Sequence, residues 1–210
     1  MRAIPTGNVP YIDFMAPGIL SQSVLFIAIF YGISVIWERD LGVLHKFLVS
    51  PTPRSALVLG KAVSAGLRGL TQGVIVYLLA VLLGVGMDWR PLSLLGVLLV
   101  VMLGAAFFST FSLVIACLVK TRERFMGIGQ ILTMPLFFAS NAIYPIAIMP
   151  RWLQVISRAN PLTYQVDALR ALMLAGGASS YGTGIDIAVL TAATGALIAI
   201  ASRLYPTIAT

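Results

Sequence analysis

The chain has 210 residues, of which 59% are Ala, Val, Ile, Leu, Met, Phe, Trp, Tyr or Cys and only 10% are Asp, Glu, Lys or Arg; its mean hydropathy is +0.98. Soluble domains carry roughly 25% charged residues and lack the interior to hide so much apolar surface, which excludes a water-soluble enzyme and leaves an all-α integral membrane protein. The net charge of +7, from 14 Lys+Arg against 7 Asp+Glu, then reads as membrane topology rather than nucleic-acid binding, because basic residues collect in cytoplasmic loops.

A membrane span needs about 20 mostly apolar residues. Five stretches qualify, at 17–37, 69–86, 92–119, 125–140 and 185–202, within one transmembrane domain over residues 1–210. The N-terminus, MRAIPTGNVPYIDF, has no basic region followed by an apolar one, so no cleaved signal peptide is expected. The first span closes on Glu38, Arg39 and Asp40. Trp37, Leu41, Leu44 and Leu48 then recur on one helical face, with Glu38, Arg39, Asp40, His45 and Lys46 on the rest. This pattern predicts an amphipathic helix, ended by Ser50-Pro51-Thr52-Pro53 because each proline disfavours helix in the residue before it. Its plain role is to lie at the membrane surface with its charges in water. Its sharper role is to dock a cytoplasmic protein, since mixed charges suit a protein better than anionic lipid. Residues 55–68 are helical again and lead into the second span.

The fourth span carries Pro135 and is followed by Pro145 and Pro150. A break is therefore expected at 141–145, and a re-entrant helical hairpin over 141–176. Its first helix covers Arg151 to Ser157. Its second has Asn160 as N-cap and Pro161 at the first helical position, with Leu162, Val166, Leu169 and Met173 at helical spacing and Gly176-Gly177 after it. Asp186 is placed at the mouth of the last span.

Nine basic residues (Arg39, Lys46, Arg54, Lys61, Arg68, Lys120, Arg122, Arg124 and Arg203) fall on one side of these spans, and five (Arg2, Arg90, Arg151, Arg158 and Arg170) on the other. The richer side is expected in the cytoplasm, the N-terminus and hairpin outside. An N-terminus outside without a signal peptide suggests that a preceding span is missing from this chain.

Catalytic signatures are lacking. There is no GxxxxGK[ST] phosphate loop, HExxH or GxSxG; at the Gly60-Lys61 fragment, Ser55 stands in place of the first glycine. One cysteine, Cys117, and one histidine, His45, leave no metal-binding set. No paired intramembrane carboxylates mark a proton relay. The amides and hydroxyls Gln22, Gln72, Gln130, Asn141, Ser109, Thr110 and Ser112 serve by default as hydrogen bonds between helices. Gln130 and Asn141, which flank the broken helix, are the candidates for lining a solute path.

Two blocks resemble a known family. Glu38-Arg39-Asp40-Leu41-Gly42-Val43-Leu44, followed by Ser50-Pro51-Thr52-Pro53-Arg54, is similar to a stretch after the second span of type-2 ATP-binding-cassette (ABC) exporter permeases. Pro145, Pro150, Trp152-Leu153, Asn160-Pro161-Leu162-Thr163-Tyr164 and Asp167-Ala168-Leu169-Arg170 resemble that family's outer segment. The likeness runs from about Phe14 to Arg203. It implies a permease that moves a drug-like, lipid-linked or glycan solute across the cell membrane. ATP and magnesium would be held by a separate ATPase subunit, with no cofactor in this chain. Glu38, Arg39, Asp40, Leu41, Leu44, Lys46 and Arg54 would couple to that ATPase, within a segment 38–54. Asn141, Pro145, Trp152, Asn160, Pro161, Tyr164, Asp167 and Arg170 would form the outer segment. A second permease copy, identical or not, would complete the path. The family has six spans, so the first is absent here. The competing reading is a non-transporting membrane scaffold or degenerate half-permease.

Overall fold

The computed structural model describes residues 10–43, 53–119 and 121–205. Those residues form seven α-helices and one 3-10 turn: α1 Tyr11–Asp40, α2 Arg54–Leu82, α3 Pro91–Leu118, α4 Arg122–Phe138, the turn Ile146–Ile148, α5 Arg151–Ala159, α6 Pro161–Met173 and α7 Thr183–Leu204. Helices α1, α2, α3 and α7 are long and apolar enough to cross a membrane. At 1.5 Å per residue, the 22 residues of α7 reach about 33 Å, enough for a hydrocarbon core of about 30 Å. The expected span at 125–140 corresponds to α4, which has 17 residues and falls short of that set. Its first turn is charged, with Arg122, Glu123 and Arg124, and it carries Pro135.

Helix α1 starts at Tyr11, ahead of the predicted start at 17, and takes Pro17 inside it. Proline has no N–H, so one carbonyl a turn earlier loses its helical partner. The Ser21 hydroxyl donates to the Pro17 carbonyl oxygen at 2.9 Å. A close approach follows directly: a Cβ built on Gly18 would lie 2.4 Å from the Ala142 carbonyl oxygen. Glycine is what lets α1 lie against the chain after α4.

At its other end, α1 stops where the sequence pattern runs on. Leu41 N–H donates to Trp37 O, Gly42 N–H donates to Arg39 O, and Gly42 takes φ 70°. This is a glycine stop in the left-handed region. Glu38, Arg39 and Asp40 are thus the last turn of α1, and the helical face predicted through Trp37, Leu41, Leu44 and Leu48 is interrupted at Gly42. Leu44, Lys46 and Leu48 lie outside the described residues.

Helix α3 is the centre of the bundle, packed on α1, α2, α6 and α7. Leu20 and Val24 of α1, Val97, Val100, Val101 and Ala105 of α3, Leu169 and Met173 of α6 and Leu190 of α7 form its largest buried cluster. In lipid, helices associate by packing and small-residue contact more than by water exclusion, and Gly69 and Gly73 of α2 are buried in the bundle. The outward faces carry exposed Leu78, Leu82, Leu92 and Leu95, the surface expected against acyl chains.

The loop between α2 and α3 is pinned to the end of α6. Asp88 N–H donates to Met173 O and Ala175 N–H donates to Gly86 O, both at 2.9 Å. The Asp88 carboxylate accepts Arg90 N–H at 3.0 Å and the Ser93 hydroxyl at 2.8 Å. These two bonds hold the Asp88 carboxyl below the usual carboxylate range.

Candidate functional site

Polar chemistry gathers at the two ends of α1. At the first end, the acidic last turn of α1 draws in two other helices. Lys61 of α2 donates to both Glu38 carboxylate oxygens, at 2.7 and 2.8 Å. Arg122 of α4 donates to Asp40 Oδ2 through Nη2 at 2.7 Å and Nε at 3.1 Å, and its guanidinium lies 4.6 Å from the centre of the Trp37 ring. Arg39 reaches Asp40 Oδ1 at 3.3 Å. Such part-exposed pairs contribute about 0–1 kcal/mol each, so their value is in position: one turn of α1 is tied to both α2 and α4. Beside it, Tyr31, Glu38, Leu57, Lys61 and Tyr205 line a cavity of about 220 Å³. Leu41 is 73% exposed. Arg54 stands exposed as the first residue of α2.

The opposite end is a buried polar knot. Asp167 of α6 is fully buried. Its carboxylate accepts Asn141 Nδ2 at 3.2 Å, the Ser179 hydroxyl at 2.9 Å, the Ser180 N–H at 2.6 Å and hydroxyl at 3.1 Å, and the Tyr181 N–H at 3.1 Å. Arg170 Nη1 lies 3.8 Å away. A buried charge is tolerable only when paired and hydrogen-bonded in this way. Arg170 also donates to the Asn141 carbonyl at 2.7 Å and lies 3.9 Å from the Phe14 ring centre, which ties the knot to α1. Burial, first, and the Tyr164 hydroxyl nearby raise the Tyr181 phenol above its ordinary value.

Asn160 joins α4 to α6. Its Oδ1 accepts Leu162 N–H at 3.0 Å as an N-cap, and its Nδ2 donates to Leu136 O at 2.7 Å and Ala139 O at 3.3 Å. Pro161 occupies the first turn of α6. The Ser157 and Thr163 hydroxyls meet at 3.2 Å, and the Tyr164 hydroxyl donates to Arg158 O at 2.7 Å. Pro145 precedes the 3-10 turn, and Trp152 is 66% exposed on α5.

Of the two residues expected along a solute path, Asn141 is committed to the knot, whereas Gln130 lies exposed on α4. One chain does not bring them together. Sequence reasoning did not pair Lys61 or Arg122 with the acidic turn, nor Ser179 and Ser180 with Asp167, and its expectation of no paired carboxylates is corrected by Asp167 and Asp186, which the Ser179 hydroxyl joins. The signal available was an isolated acid, Asp186, just beyond the polar run Ser179-Ser180-Tyr181. Gln165, buried with both amide atoms unpaired, was also passed over.

Comparison with known proteins gives a consistent set. Residues 2–174 match the family described as ABC-2 type transporter. The ycf38 protein of Cyanophora paradoxa, described as a transport permease, is 31% identical over 167 residues, which cover 77% of this chain and 56% of that protein. The daunorubicin resistance ABC transporter permease protein DrrB1 of Streptomyces coeruleorubidus is 28% identical over 195 residues, 93% of this chain and 69% of that one. Nodulation protein J of Rhizobium leguminosarum bv. trifolii is 28% identical over 170 residues, 80% of this chain and 64% of that one. The chain therefore spans 56–69% of the length of these relatives.

Proposed function

This chain belongs to the ABC-2 type transporter family as a multi-pass protein of the cell membrane, and we propose that it serves as the permease of an ABC exporter. A cytoplasmic ATPase supplies the energy, and a second permease copy completes the solute path. ATP and magnesium bind on that ATPase. The Gly60-Lys61 fragment lies inside α2 with its ammonium group engaged by Glu38. The solute is drug-like, lipid-linked or a glycan; the name of DrrB1 supports the first of these.

The observation that carries this reading is the tie between the last turn of α1 and two other helices, through Glu38–Lys61 and Asp40–Arg122. Force applied by a partner at this turn reaches α2 and α4 at once, and α1 is a continuous rod of 30 residues. At the far end the rod meets Ala142 at Gly18 and Arg170 at Phe14. ATP-driven closure of the ATPase dimer would then tilt α1, α2 and α4 together, a rigid-body transition. The energy enters as differential binding of the ATPase to the two permease states.

The test is co-expression with a candidate ATPase, followed by co-purification and transport assay. Glu38→Lys is expected to leave insertion intact and abolish coupled transport. Adding Lys61→Glu restores the ion pair in reverse. Transport should stay lost in the double variant if the partner reads the acidic turn. Full recovery would assign the pair to tying α1 to α2 rather than to the partner contact; failure of the unmutated chain to bind any ATPase or to transport would overturn the assignment.

A further inference from the structure

The loop between α6 and α7 closes over two carboxyl groups that share one hydroxyl. Ser179 Oγ lies 2.9 Å from Asp167 Oδ2 and 2.7 Å from Asp186 Oδ2, and it accepts the Gly182 N–H at 2.7 Å. A serine hydroxyl has a single proton. It can donate to one carboxylate oxygen; toward the other it can only accept, and that carboxyl must then bring the proton itself. If both were ionised, two lone pairs would face each other at hydrogen-bond distance in a buried site, next to a second negative charge.

The surroundings decide which carboxyl holds the proton. Asp167 receives four further hydrogen bonds, from Asn141, the Ser180 N–H and hydroxyl, and Tyr181, and has Arg170 beside it. That environment is built for an anion. Asp186 is equally buried, but its Oδ1 has no partner, and among the described residues it has no ion pair. The start of α7 would favour an anion in principle. Here the Ile185 and Asp186 N–H groups are already bonded to Gly182 O and do not serve the side chain.

We propose that Asp186 is a proton-binding site. Below neutral pH it holds a proton and donates it to Ser179, which donates to ionised Asp167. The resulting chain of hydrogen bonds latches α6 and the loop 175–182 to the first turn of α7. This proposal does not depend on the exporter reading.

The groups that face this site are few. Asp167 and Arg170 come from α6, and Tyr181 from the loop with Arg158 of α5 beyond it. α1 contributes the Phe14 ring beneath Arg170. α3 has no ionisable side chain except Cys117, close to its far end. α2 meets α7 through Leu57 and Val58, against Ile198, Ala201 and Tyr205, at the opposite end. Ionising Asp186 therefore adds a second negative charge beside Asp167 and removes the donor. The folded chain holds a proton that the unfolded chain releases at lower pH. The stabilisation it gives is fully present below the unfolded carboxyl's pKa of about 3.9, falls as pH rises and is gone once Asp186 has ionised in the folded chain.

The experiment uses the chain in nanodiscs. Infrared difference spectra on raising the pH should show loss of a protonated-carboxyl C=O band, and Asp186→Asn should abolish that band. Asn keeps a donor toward Ser179, so this variant should match the parent's unfolding temperature at the acid end of the pH range and lose the part of the pH dependence that Asp186 supplies. Asp167→Asn turns an amide toward backbone N–H donors and should lower the midpoint at every pH, by about 2–4 °C or more. Three results would overturn the proposal: no carboxyl band that depends on Asp186, Asp186→Asn as damaging as Asp167→Asn, or a midpoint at fixed pH that rises with added Na⁺ or Ca²⁺. The last would mean that a metal cation sits between the carboxylates.

Discussion

Gly18 and Gly127 look alike in the sequence and do opposite work. A Cβ at Gly18 would sit 2.4 Å from a backbone oxygen, whereas one at Gly127 meets nothing within 4 Å. Gly18→Ala should destabilise by about 1–3 kcal/mol, since backbone must shift to admit it. Gly127→Ala should be neutral or stabilise by up to about 1 kcal/mol through helix propensity. Thermal unfolding of both variants in one detergent compares them directly. Asn160 is the second residue-scale case. Asn160→Ala removes the cap of α6, at about 0.5–2 kcal/mol, and takes a donor from Leu136 O and Ala139 O as well. Its loss should exceed a cap loss alone, and Asn160→Asp, which keeps the cap oxygen but not the donor, should recover only part of it. The cap was legible in the sequence because its chemistry is local: Asn160 serves an N–H two residues on. Ser179 was not, because a serine twelve residues from an aspartate has no sequence signal until the chain turns back.

Among the elements, α3 and α6 follow from their sequence patterns almost directly. α3 is an uncharged apolar run with a proline at its start, and α6 has a cap, a proline and a helical apolar stripe. α1 was misread at both ends for physical reasons. Pro17 marks a helix start when taken alone, yet it lies inside α1, whose next residue, Gly18, approaches the Ala142 carbonyl closely. The apolar spacing of Trp37, Leu41, Leu44 and Leu48 predicts one helix; α1 ends at Asp40, Gly42 takes the left-handed region, and Leu44 and Leu48 lie outside the described residues. Glu38 was read as part of a docking element, and the pair it makes within the chain, with Lys61 of the next helix 23 positions on, was not legible. A double-mutant cycle with Glu38→Gln and Lys61→Met should give a coupling energy of about 0.5–1 kcal/mol in unfolding. This stability readout stands apart from the transport effect of reversing the charges.

For the whole molecule, composition alone settled the all-α membrane class, because so few charges and so much apolar surface admit no other solution. The family was legible from two short blocks, at Glu38–Arg54 and Pro145–Arg170, and the match over residues 2–174 encloses both. The three-dimensional arrangement was not legible. Periodicity gives each helix a face but does not say that α3 takes the centre, or that the loop after α2 bonds to the end of α6.

The weak hold on α4 bears on how the protein is made. This helix opens on three charges, carries a proline, and packs chiefly on α1. Each charge costs about 2.5–3.5 kcal/mol at the middle of a bilayer on translocon scales, and less toward the surface. A segment of this kind enters the membrane inefficiently when offered to the translocon alone. Its natural support is α1, already synthesised, with Asp40 waiting for Arg122. In a glycosylation-mapping assay, α4 in isolation should integrate poorly, and the same segment downstream of α1 should integrate well. Asp40→Ala should erode that gain, making biogenesis of the fourth helix dependent on a residue eighty-two positions upstream of its ion-pair partner.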